Sequence, residues 1–232
     1  MWTNLLRDVL SEWPTLVLAI SAFAVLFLSP VVRDKYFSRK LFVEFHFGVG
    51  SPYSHQTTAR GRNIEFPVYY FSFSVHNEGK MQADDCEAVL ERVWQVGDAG
   101  NKHEWKSFLP VNLKWAGENP RRNFERACYK TIYPGGRKVF CNIGHITPLE
   151  HQDESAYRGI TEEQRQKNKL FFELPQKFYS QWDCLLPGKY QIQISVYSKN
   201  AAKKTKTFNI SWSGEWKERE KEMFTKDGIV MW

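Results

Sequence analysis

Cysteine is sparse: Cys86, Cys128, Cys141 and Cys184 are the whole complement of a 232-residue chain. Four cysteines with no CxxC spacing are too few for a disulfide-built scaffold, so the fold must rest on a hydrophobic core. Catalytic signatures are missing as well. The sequence has no GxSxG elbow, Walker A loop, HExxH pair or EF-hand loop, which removes the chemistries those motifs position. Gly48-Val49-Gly50-Ser51 resembles half of a phosphate loop. A hydrophobic strand precedes it, however, and a polar loop follows where a phosphate site needs a helix N-terminus. Nor does one charge dominate, since 32 basic side chains face 26 acidic ones for a net charge of +6. That balance argues against a dedicated nucleic-acid binder. The absences together predict a noncatalytic protein with no cofactor and no metal.

Aromatic side chains, by contrast, make up 16% of the sequence and hydrophobic ones 42%, which is enough for an ordered interior. Beyond the first 40 positions roughly 190 residues remain, the size of one ordinary domain.

Residues 14–32 read PTLVLAISAFAVLFLSPVV and carry no charge. At about 1.5 Å per residue such a helix is just long enough for a hydrocarbon layer of roughly 30 Å. We expect a retained transmembrane anchor whose residues include Trp13, Pro14, Leu16, Phe23, Leu28 and Val32. Trp13, Tyr36 and Phe37 suit the two interfaces. Arg7, Asp8 and Glu12 before the run, with no small-residue cleavage site after it, argue against a removed signal peptide. Residues 1–13 place Trp2, Leu5, Leu6, Val9, Leu10 and Trp13 at helical spacing opposite polar positions, as in a helix lying in the membrane interface or packed on a partner subunit. Residues 33–40 form a basic juxtamembrane linker holding Arg33, Lys35, Arg39 and Lys40, against Arg7 alone on the other side. The positive-inside rule therefore predicts a single-pass membrane protein with its large domain in the cytoplasm, where the thiols would stay reduced.

Residues 41–214 read as a β domain. LFVEFHF at 41–47 and EFPVYYFSFSVHN at 65–77 alternate in the manner of half-buried strands. The second ends in the turn Asn77-Glu78-Gly79-Lys80. Further strands are expected within 86–96, 111–115, 137–146, 169–174, 189–198 and 204–212. Cys86, Ala88, Leu90 and Val93 are candidates for one buried face of the 86–96 run. Pro187-Gly188 feeds a hairpin that turns at Lys199-Asn200. Many strands and no long amphipathic helix predict a mainly β, antiparallel sandwich. Two polar insertions interrupt it, at 117–127 and at 148–168, the latter with a short helix near 162–167. Residues 215–232 read as a charged, helical tail with an apolar end.

The strand ending Val75-His76-Asn77-Glu78-Gly79, followed by Ala83 and Cys86, and the later Pro187-Gly188-x-Tyr190 hairpin resemble bacterial and archaeal membrane-anchored proteins with an immunoglobulin-like, adhesin-like β-sandwich. The resemblance covers about half of the β domain. It implies assembly or binding and supplies no catalytic residue.

Candidate chemistry is thin. Cys141 and His145 have CxxxH spacing, which zinc sites use, but a lone cysteine in an alternating strand is more often a small core residue. Asp84-Asp85, Asp153 and Glu154 read as solvated loop acids. Arg121, Arg122, Arg126 and Lys130 form the densest basic patch of the domain, with Lys203, Lys204 and Lys206 a second. The expected function is an accessory subunit or protein-interaction module of a membrane assembly, its partners being the bilayer and one or more proteins. The alternative is a membrane-anchored sensor or effector domain that binds a small ligand or nucleic acid through the basic insertion.

Overall fold

The computed structural model describes residues 13–15, 17–25, 37–60, 65–106, 108–152, 161–177 and 183–232. Its strands, in chain order, are β1 (Leu41–Glu44), β2 (Ser54–Arg60), β3 (Glu65–Asn77), β4 (Ala83–Val96), β5 (Lys102–Glu104), β6 (Val111–Asn112), β7 (Tyr129–Ile132), β8 (Val139–Ile146), β9 (Leu170–Phe172), β10 (Cys184–Leu185), β11 (Gly188–Tyr197), β12 (Lys204–Trp212) and β13 (Ile229–Met231). They form two antiparallel sheets. One runs β1-β3-β8-β9-β10, with β2 sharing an edge of β3 with β1. The other runs β13-β12-β11-β4-β5, with β6 and β7 also paired to β4. The long strands β3 and β4 lie in different sheets, and the Asn77–Gly79 turn carries the chain from one to the other.

One core lies between the sheets. From β3 it takes Tyr69, Phe71, Phe73 and Val75, and from the other sheet Ile192, Ile194, Phe208 and Ile210. The period of two in these positions is what puts them on one face. Phe73 meets Phe208 across the sheets at 6.0 Å between ring centroids, and Phe45 meets the same ring edge-on at 5.2 Å. Side chains of this size each contribute about 1.5–3 kcal/mol when fully buried.

Beyond Asp85 the β4 residues in the core between the sheets are Cys86, Ala88, Leu90 and then Val93, an even run that turns odd. The register shift opposite Gln193 and Ile194 explains the change: Glu91 is the extra residue of a β-bulge, so the residues beyond it exchange faces. Its carboxylate accepts hydrogen bonds from Ser195, Gln193, Tyr197 and Lys203. Burial pushes this carboxyl up, but Lys203, Tyr197 and Ser195 outweigh it and hold the group below the usual range.

Several segments differ from expectation. β2, of sequence SHQTTAR, has no hydrophobic alternation, and pairing along the edge of β3 makes it a strand. The first insertion holds the short helix Phe124–Cys128, capped by the Asn123 side chain, and the second holds Glu162–Arg165 behind a Thr161 capping box. Residues 215–232 are a strap and not a free helical tail. One turn of helix, Glu220–Met223, leads to β13, which pairs with β12, while Glu220 accepts hydrogen bonds from the Gly50 and Gln56 backbone amides. The segment that follows β6 crosses between the sheets: Leu113 N donates to Ala88 O in one, and Trp115 bridges Cys141 in the other.

All four cysteines are buried. Burial raises the Cys86 thiol to about 11 and pushes those of Cys128 and Cys141 upward as well, so these sulfurs are poor nucleophiles.

The expected anchor lies partly outside the described residues, which include none of Leu16, Leu28 and Val32. Residues 13–15 and 17–25 are helical. Trp13, Val17, Leu18, Ile20, Phe23 and Val25 are exposed there. Among the described residues no helix is long and apolar enough to cross a membrane. The interfacial helix expected over 1–13 falls outside the described residues except for Trp13.

Candidate functional site

Two places bring together side chains that sequence reasoning treats separately. The first lies where residues 38–40 enter the sandwich. Asn77, fully buried at the end of β3, accepts hydrogen bonds at Oδ1 from Lys40 N at 3.1 Å and Gly79 N at 2.9 Å. Its Nδ2 donates to Met81 O at 2.7 Å and Ile132 O at 3.2 Å. An amide has two acceptor sites and two donors, so this one is saturated. The backbone adds to the clamp, because Glu78 N donates to Lys40 O while Lys80 N and Met81 N donate to Ser38 O. Gly79 makes this approach possible. A Cβ there would lie 2.2 Å from Ser38 O and 2.7 Å from Arg39 Cα. Residues 38–40 are thus fixed to the domain at one end of the sandwich.

The second place is a hollow of about 490 Å³ lined by Lys114, Arg121, Phe124, His145, Glu173 and Lys177, among others. It forms where β8 runs out of one neighbour and takes another. Near Asn142, β8 pairs with the crossing segment, Asn142 N donating to Lys114 O, and from Gly144 onward it pairs with β9. A bulge between these stretches, opposite Phe71 and Ser72, permits the change. At Gly144 a Cβ would lie 2.5 Å from Phe171 O, so the close approach of β9 requires glycine. Lys114 N then donates to Glu173 O, and three side chains converge.

Glu173 is 6% exposed, with Lys114 Nζ against Oε2 and His145 Nδ1 2.6 Å from Oε1. The imidazole nitrogen is close to the carboxylate but off the hydrogen-bond axis. Burial pushes the Glu173 carboxyl up, yet His145 and Lys114 outweigh it and hold it at about 2. His145 also stacks on Phe171 at 5.6 Å and borders a second hollow of about 290 Å³ with Tyr70, His151 and Lys177. One carboxylate among Lys114, Arg121 and Lys177 leaves the first hollow with an excess of positive charge, suited to a small anion.

The expected basic patch divides. Arg121, Arg122 and Arg126 are exposed, and Arg121 lines the hollow. Lys130 turns instead to an ion pair with Glu118. The CxxxH spacing does not assemble a site. Cys141 pairs with Phe73, a core residue, whereas His145 pairs with Tyr70 on the other face of the sheet. Among the described residues no group of three His, Cys, Asp or Glu could hold a metal ion. Asp84 is tied to Gln82 and Asn200, and Asp85 adopts a φ of 48° at the second irregularity of β4. Glu173 gave no signal in sequence, because an acid in KLFFEL alternates as any outward strand residue does.

No protein-family model matches the chain, and no curated protein matches it.

Proposed function

We propose that this chain is a noncatalytic, membrane-tethered protein whose immunoglobulin-like β-sandwich serves as an interaction module in a larger membrane assembly, with the sandwich on the cytoplasmic side. The observation that carries the reading is the clamp on residues 38–40. A spacer that merely kept a domain near a membrane would need no saturated buried amide at its exit. A clamped one narrows the orientations open to the domain, which matters when a partner must meet a particular face. The exposed apolar residues between 13 and 25 add support, since Val17, Leu18, Ile20, Phe23 and Val25 point in several directions around the helix, a distribution that suits lipid better than water. Extraction of native membranes in mild detergent is expected to recover the full chain with a stoichiometric protein companion. A chain that emerges alone, as a monomer, overturns the reading.

The basic hollow favours a second reading, a tethered sensor for a small anionic ligand. In that case titration with a set of phosphomonoesters and dicarboxylates finds a ligand whose affinity falls at least tenfold on Arg121→Glu, Arg121 being exposed and outside the core. An affinity that keeps its value and its salt dependence in this variant removes the reading.

A further inference from the structure

The end of the sandwich that holds the clamp gathers three further features. The first is reach. From Val32, the last residue of the apolar run, to Ser38 the chain takes six steps, which span about 20 Å even when fully extended. With Ser38 pinned by Lys80 N and Met81 N, this end of the domain stays within that distance of the bilayer if residues 14–32 span it.

The second is charge. Asn77 bridges to Pro134, and Asp84 O accepts from Lys199 N, so the β3–β4 turn, the β7–β8 loop and the β11–β12 turn all meet here. They and the linker place Arg39, Lys40, Lys80, Arg137 and Lys199 at this end, against Glu78, Asp84 and Asp85. The neighbouring Lys138 and Lys203 are offset by Glu44 and Glu91. Cations are left in excess.

The third is shape. The β7–β8 loop, Tyr133-Pro134-Gly135-Gly136-Arg137-Lys138, lifts Tyr133 to 64% exposure, and Gly135 and Gly136 take φ of 102° and 73°. An exposed tyrosine in a loop that also carries Arg137 is a combination found at the headgroup level of membranes, where an amphipathic ring sits half in lipid.

We infer that this end of the sandwich docks directly on an anionic lipid surface, with Tyr133 at the headgroup boundary and Arg137, Lys199 and Lys40 against lipid phosphates and carboxylates. The inference rests on the tether proposed above and goes beyond it. A tether alone leaves the domain free to hang away from the bilayer, whereas docking fixes which face lies down and leaves the hollow at Glu173 to the side.

The test uses the full chain reconstituted into vesicles of phosphatidylcholine alone or mixed with phosphatidylserine. An environment-sensitive fluorophore is placed on Tyr133→Cys or, as a control at the far end, on Asp98→Cys, the native thiols being buried. In phosphatidylserine vesicles the probe at 133 is expected to shift to the blue and to be quenched by headgroup-level spin-labelled lipid, while the probe at 98 stays in water. Each basic residue near an anionic surface is worth about a fivefold change in the docked ratio. The added substitutions Arg137→Glu and Lys199→Glu should therefore cut docking at least tenfold, and so should phosphatidylcholine alone. Equal quenching in the two vesicle types, or a water-exposed probe at 133 in a chain that resists alkaline carbonate, overturns docking and leaves the tether standing. Release of the chain by carbonate overturns the tether and docking together.

Discussion

Glu173→Gln is expected to lower the unfolding free energy by about 3 kcal/mol at neutral pH, since it leaves the Lys114 ammonium half-buried without its counter-charge. The same substitution should flatten the acid response. The Glu173 carboxyl titrates near 4.5 in an open chain and about 2 in the folded protein. A group depressed in this way contributes stability that is fully present above 4.5 and is lost as the pH falls towards 2. The difference amounts to on the order of 3 kcal/mol. Denaturant unfolding of the full chain at pH 7, 4.5 and 2.5 measures both effects. The native protein should lose more stability across the lower interval than the variant, and two parallel pH profiles would show that Glu173 is not held as described. Other depressed carboxyls, such as Glu91, act equally in both proteins and cancel from the comparison.

Asn77→Ala should be at least as damaging. It strips partners from Lys40 N, Gly79 N, Met81 O and Ile132 O at once, and at about 1 kcal/mol each the loss is roughly 3–4 kcal/mol. Asn77→Asp separates hydrogen bonding from size. A carboxylate can still accept from the two amides but cannot donate to the two carbonyls, so it faces oxygen with oxygen and does not rescue the alanine variant. Limited trypsin digestion reports on the clamp itself. Cleavage after Arg39 or Lys40 should accelerate at least tenfold in both variants, while cleavage at exposed Lys226 stays within a few-fold. Unchanged cleavage after residues 39 and 40 would mean that the linker is held by something other than this amide.

Much of the β architecture was legible because the physics that forms it is local and periodic. The spans at 65–77 and 204–212 coincide with β3 and β12, where positions two apart carry Tyr69, Phe71, Phe73 and Val75 in one and Phe208, Ile210 and Trp212 in the other. The hairpin between Gly188 and Trp212 has its expected partners, from Gly188 opposite Trp212 to Val196 opposite Lys204. Strands created by their neighbours were not legible. β2 is polar and exists because β3 offers it an edge, and β13 was hidden inside what reads as a charged tail. Bulges also left little trace. The parity change from Leu90 to Val93 in β4 is visible in sequence only after the extra residue at Glu91 is known. The hollow was hidden for a different reason. Lys114, His145 and Glu173 are far apart in the chain, and each is unexceptional where it stands. Only the split edge of β8 brings them together. Of the basic cluster at 121–130, spacing could locate it but could not reveal that Lys130 is already paired or that Arg121 alone borders the hollow.

The strap formed by the last described residues bears on how the domain comes to be built. β12 acquires its outer neighbour, and Gly50 and Gln56 their carboxylate partner, only once residues 220–231 have been synthesised. At translation rates of about 5–20 residues per second, some 10–40 seconds separate the emergence of β1 from that of β13. Through this interval the bare edge of β12 and the seats of Met223, Ile229 and Met231 stay open, which makes the nascent chain most vulnerable to mispairing just before its synthesis reaches the strap.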